Sequence, residues 1–132
     1  TRQMGALMKM GIIEGPVFVL LCMTDGISLS GHPGTAEGLD AHTNFLPKDQ
    51  KVFWSAMNYK GNLFLLTEKV IKEGGHISIG LGDYPYCEFG QPTNADLIAR
   101  VVEQAESLGR EVATVDDTRK MLDMTSGVAA AA

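Results

Sequence analysis

The chain is poor in the residues that would commit it to several common chemistries. Only two of its 132 residues are cysteines, Cys22 and Cys87. They stand far apart and form no Cys-x-x-Cys pair, so two reduced thiols are expected rather than a disulfide framework. Basic residues are outnumbered, 11 against 16 acidic, for a net charge of -5. No Lys/Arg cluster appears, which argues against a nucleic-acid surface. The apolar run PVFVLLCM is too short to span a bilayer, and no charged leader with a cleavage site opens the chain. The reading is therefore a cytoplasmic protein with no membrane partner. The GHPG segment is not followed by Gly-Lys-Ser/Thr, so it is not a phosphate loop. No internal repeat is present, and no initiator Met precedes Thr1. With its VAAAA end, the chain reads as a fragment, a processed product or a recombinant piece.

What is there is ordinary globular material, 45% hydrophobic and 20% charged, enough for one domain with a modest core. Met4, Leu7 and Met8 mark a helix from Arg2 to Met10, with Gly11 as its cap. Val17 to Met23 is a continuous apolar run that suits a strand buried on both faces. The Gly- and Ser-rich TDGISLSGHPG follows as a loop; Asp25 either caps a turn there or acts in a site, and His32 is either solvated or functional. Thr35 caps a helix running towards Leu46, and Pro47 ends it. Val52 to Met57 is a second strand, with Val52, Trp54 and Ala56 on one face and Phe53, Ser55 and Met57 on the other. Asn58 to Gly61 reads as a polar turn. Asn62 then caps a helix from Leu63 to Glu73 whose buried stripe is Leu63, Leu66, Val70 and Ile71.

The stretch from Gly74 to Tyr86, GGHISIGLGDYPY, reads as a helix stop, a strand and a polar turn. Gly74 and Gly75 end the helix. Ile77, Ile79 and Leu81 alternate with His76, Ser78, Gly80 and Gly82, giving one greasy face and one sparse polar face. Asp83 follows at the C-terminal edge, where α/β folds place ligands. Tyr84, Tyr86 and Phe89 either line a pocket mouth or pack the loop. Thr93 with Asp96 and Thr114 with Asp117 are capping-box pairs. They open a helix stopped by Gly109 and a short one ending near Leu122, with an extended piece at Glu111 to Ala113 between them. Asn94 reads as a helix starter rather than a ligand contact. The tail from Thr125 is expected to be disordered. Alternating strands and helices mean βα units and a parallel sheet. Three strands alone leave two open edges, so the isolated chain is expected to self-associate.

Several of these pieces carry a family resemblance. GGHISIGLGD at 74–83, GQPTNADLIARV at 90–101 and GREVATVDDTRKML at 109–122, with a looser match over LPKDQKVFWSAMNYKGN, together resemble the C-terminal part of the β-keto acid cleavage enzymes. The resemblance implies the C-terminal portion of a (β/α)8 TIM barrel over residues 1–124, contributing strands six to eight. It implies a zinc-dependent acyltransferase that converts a β-keto acid and acetyl-CoA to acetoacetate and a new acyl-CoA, and a homo-oligomeric full-length protein.

The family motif at the eighth strand reads Gly-Gly-His-x-Arg-x-Gly-x-Glu-Asp. His76 matches its histidine and Asp83 its aspartate, taken as the general base. Ser78 stands at the arginine and Gly82 at the zinc-ligand glutamate, so neither the guanidinium fork nor that metal ligand is supplied. The family's His-x-His pair is also absent, since His32, His42 and His76 are isolated. No metal ligand is therefore assigned to this chain. The expected site is Asp83 as base, with Ser78, His76 and Trp54 binding substrate. Asp83 has the competing reading of a turn aspartate, and His76 and Trp54 that of packing residues. The losses at 78 and 82 keep open a binding or regulatory relative, or a metal-independent carbon–carbon lyase.

Overall fold

A computed structural model describes residues 1–26 and 31–124. The expected disordered tail from Thr125, and the middle of the loop after the first strand, lie outside the described residues. The order is α1 (Arg2–Lys9), β1 (Val17–Thr24), α2 (Ala36–Thr43), β2 (Val52–Tyr59), α3 (Phe64–Lys72), β3 (His76–Ile77), a 3₁₀ turn (Cys87–Phe89), α4 (Asn94–Ser107) and α5 (Val115–Met121). The strands form one parallel sheet in the order β1-β2-β3. β1 and β2 pair along their whole lengths, Val17 beside Val52 through Thr24 beside Tyr59. Ser55 and Ala56 pair with His76 and Ile77. This is the α/β architecture with alternating βα units that the pattern predicts. No helix among the described residues is long and apolar enough to cross a membrane.

The core lies between one sheet face and two helices. Leu21, Met23, Trp54 and Ala56 meet Leu39 of α2 and Leu66 and Val70 of α3, with Ile77 and Ile79 against them. The alternation read in β2 holds, and so does the stripe on α3, where Leu66, Val70 and Ile71 are buried with Thr67. Thr35 caps α2 by accepting the Gly38 N–H. Asn62 accepts the Phe64 N–H at the start of α3. Both capping boxes form, at Thr93–Asp96 and Thr114–Asp117.

Four expectations are corrected. β1 is not buried on both faces: Phe18 is 50% and Leu20 43% exposed, because helices cover only the other side. β2 runs past Met57 to Tyr59, and Asn58 is buried at 2% exposure instead of lying in a turn. β3 keeps strand pairing only at His76–Ile77, since among the described residues only β2 pairs with it; Leu81 is 37% exposed. α2 stops at Thr43, short of Leu46.

The two glycines after α3 serve different ends. Gly74 takes the left-handed conformation, φ +81. Gly75 makes room: an added Cβ would lie 2.3 Å from the Trp54 ring. Arg110 reaches back from beyond α4 to the carbonyls of Ile71 (3.2 Å), Gly74 (3.3 Å) and Gly75, at and just past the end of α3.

Candidate active site

The loops at the C-terminal ends of the strands are stitched to one another by backbone hydrogen bonds. Asp25 N–H donates to the Tyr59 carbonyl at 2.9 Å, and Lys60 N–H donates to the Asp83 carbonyl at 2.9 Å. Lys60 sits in the left-handed region at φ 62, which turns the chain out of β2 towards Asp83. Ser78 N–H donates to Ala56, prolonging the β3 contact by one bond.

Asp83 lies in a tight turn. Its N–H donates to Gly80 at 3.1 Å, and Leu81 N–H donates to Asn94 Oδ1 at 2.9 Å. Asn94 is the first residue of α4, so the helix start and the turn are one unit. The turn reading of Asp83 is thus met by its backbone, and the half-buried residue lies beside Lys60, just past the C-terminal end of β2. Gly82 is exposed, and a Cβ built there meets no atom within 4 Å. A side chain at this position would have room, so packing does not dictate the glycine.

His76 and Ser78 lie on the sheet face that the helices leave open, both half-buried. The His76 ring rests near Phe18 (centroids 6.0 Å) and Phe53 (6.5 Å). Burial, and then the Arg110 charge, lower the His76 pKa below the ordinary histidine value, so its neutral form prevails at pH 7. Trp54 is 8% exposed and lies in the core on the opposite face. The structure brings His76 and Ser78 to one face, puts Asp83 at its rim, and leaves Trp54 apart as a packing residue.

Tyr84, Tyr86 and Phe89 pack the loop. Tyr86 is 1% exposed, edge-on to Phe64 (5.7 Å) and to Tyr84 (5.0 Å), and Phe89 is edge-on to Phe64 (5.2 Å). Burial raises the Tyr86 phenol above its usual pKa. This cluster anchors the segment after Asp83.

Asp25 and Asn58 meet at the same edge of the sheet. Asp25 accepts from Gly34 N–H at 3.0 Å and from Asn58 Nδ2 at 2.8 Å. The sequence separation of 33 between Asp25 and Asn58 hides this pair from any local reading. His32 and His42 also pair, edge to face at 5.1 Å. Burial, then His32, lower the His42 pKa.

Among the described residues no three His, Cys, Asp or Glu side chains stand close enough to hold a metal. His76 is packed among aromatic rings, and Gly82 has no donor to offer.

The family model for beta-keto acid cleavage enzyme matches residues 1–124. The chain belongs to that family. Its relatives include the 3-dehydrocarnitine:acetyl-CoA trimethylamine transferase of Rhizobium meliloti, 32% identical over 90% of this chain and 38% of that protein. The 3-keto-5-aminohexanoate cleavage enzyme of Fusobacterium nucleatum is 31% identical over 88% of this chain and 41% of that enzyme. The enzyme of that name from Acetoanaerobium sticklandii is 31% identical over 90% of this chain and 42% of the other. The chain therefore spans about two fifths of the length of these curated relatives.

Proposed function

We propose that residues 1–124 supply strands six to eight of a (β/α)8 barrel, and that the protein containing them is an acyltransferase joining a β-keto acid to acetyl-CoA. The observation that carries this reading is the position of Asp83, a carboxylate on the C-terminal rim of a parallel sheet, in a turn held from both sides by Lys60 and Asn94. A fixed carboxylate at that edge is suited to remove a proton from carbon next to a carbonyl.

In the proposed reaction Asp83 takes a proton from C2 of the β-keto acid. The carbanion attacks the acetyl thioester carbonyl, and CoA thiolate departs. The thiolate then attacks the original keto carbon, the bond from that carbon to C2 breaks, Asp83 returns its proton to the C2 carbanion, and acetoacetate leaves with acyl-CoA as the second product. The Ser78 hydroxyl and neutral His76, on the open face, hydrogen-bond substrate oxygens. Trp54 takes no part, because its ring lies on the other face. Zinc, which the family resemblance implies, would need ligands outside the described residues, and no step is assigned to it.

The test uses the full-length product of the gene, acetyl-CoA and a panel of β-keto acids, with acetoacetate as the readout. Asp83→Asn is expected to lower kcat by about 100-fold or more, the usual worth of a positioned base. Absence of turnover with every acid tested would overturn the reading. Turnover that Asp83→Asn leaves unchanged would remove Asp83 from it.

A further inference from the structure

The carboxylate of Asp25 and the amide of Asn58 fit each other too closely to be a chance surface contact. Asn58 is 2% exposed and donates to Asp25 across the β1–β2 edge at 2.8 Å. Two glycines make the space. A Cβ at Gly61 would lie 1.9 Å from Asp25 Oδ2, and one at Gly34 would lie 2.0 Å from Asn58 Nδ2. Neither glycine has a left-handed φ, so the side-chain pair, not the backbone conformation, excludes a larger residue there. Asn58 Oδ1 is buried without a hydrogen-bond partner. Burying an amide that way is unfavourable, and an apolar residue would fill the position without that cost. The gain at 58 is therefore the bond from Nδ2 to the carboxylate, charge-assisted and stronger than a neutral one.

The pair spans three segments that carry the rim. Asp25 ties the end of β1 to Gly34, next to the Thr35 cap of α2. Its own N–H holds Tyr59, the residue before Lys60, and Lys60 N–H holds Asp83. We infer that Asp25 and Asn58 are a positioning pair: through the Tyr59–Lys60 backbone they set where the Asp83 turn stands. The link to catalysis rests on the function proposed above; the link to the Asp83 turn does not.

The experiment separates the two. Amide hydrogen exchange is followed at Lys60 in the full-length protein, for the wild type, Asp25→Ala and the exchanged pair Asp25→Asn with Asn58→Asp. Losing a charge-assisted bond is expected to speed Lys60 exchange about tenfold or more in Asp25→Ala. The exchanged pair rebuilds the bond in reverse, with an amide at position 25 donating to a carboxylate at position 58, and is expected to restore protection. If the proposed activity is present, kcat follows the same order while KM changes little. Lys60 protection unchanged in Asp25→Ala, or an exchanged pair that fails to fold or to recover protection, overturns the inference. Loss of Lys60 protection in a protein without turnover keeps the positioning role and removes only the function.

Discussion

One face of the sheet is roofed by helices and the other is half open, yet both are apolar along β1. On the roofed face Leu21 and Met23 are 1% and 0% exposed. On the open face Phe18 and Leu20, their neighbours in sequence, are 50% and 43% exposed. The roofed face carries the core, and the open face carries His76 and Ser78 with Phe53 beside them. In a closed barrel the second face is the interior, filled by side chains from the other strands. The contrast between the faces agrees with the barrel segment proposed above, and it separates residues that hold the core from residues that nothing among the described residues covers.

The largest expected effect breaks that contrast directly. Trp54→Ala removes a ring that packs against Gly75 and the α3 side of the core. It should cost about 3–5 kcal/mol, a large part of the stability of a domain of this size. Phe18→Ala on the open face should cost about 1 kcal/mol or less in the 132-residue chain, since half of the ring is already in water. Urea unfolding of both variants measures the ratio. In the longer protein proposed above, the Phe18 cost should rise towards that of Trp54 if the open face becomes interior. A Phe18 cost that is already large in the short chain would mean that self-association covers the face, and sedimentation would reveal it.

The same contrast explains how far the sequence can be read. Period-2 alternation at Val52–Met57 and the stripe Leu63, Leu66, Val70, Ile71 are local signals, and the structure carries both. The capping boxes at Thr93 and Thr114 are local as well. The apolar run of β1 says that both faces prefer cover, but not that helices cover only one. Asp83 and His76 are legible through the family motif. Asn58 looks like a turn residue in the sequence because its partner, Asp25, is distant. The space at Gly34 and Gly61 has no signal, since neither position needs a positive φ. Arg110, which closes α3 from beyond α4, likewise shows only in three dimensions.

A second measurement sharpens the comparison through pH. His42 and His76 both have pKa values lowered mainly by burial, His42 further by His32 and the chain N-terminus, His76 by Arg110. The folded state favours their neutral forms. Their stability contribution is therefore full above the ordinary histidine pKa of about 6.5 and is lost as pH falls below it, where the unfolded chain takes up protons first. Thermal melting should show a falling Tm from about pH 7 to pH 5. His42→Gln and His76→Gln should each flatten that slope. A Tm that stays level across the range in the wild type would show that neither ring is held neutral by the fold.

The smallest effect compares the two capped helices at the C-terminal side. Thr93 and Thr114 make the same capping box, each accepting from an aspartate N–H three residues on, at 3.2 Å and 3.1 Å. In both boxes the bonds from threonine hold the aspartate pKa below its usual value. The helices differ in what they bury. α4 buries Leu97 and Ala105, and its Gln104 hydrogen-bonds Thr67 of α3, whereas α5 buries no residue. Thr93→Ala should therefore lower global stability by about 1 kcal/mol, the usual worth of an N-cap. Thr114→Ala removes a cap of equal quality from a helix whose packing contributes little, so it should fray α5 locally and leave the urea midpoint unchanged. Amide exchange across Val115–Met121 beside the global midpoint distinguishes the two. Equal shifts of the midpoint would mean that α5 belongs to the same cooperative unit as α4, and that its few contacts hold it as firmly as the core is held.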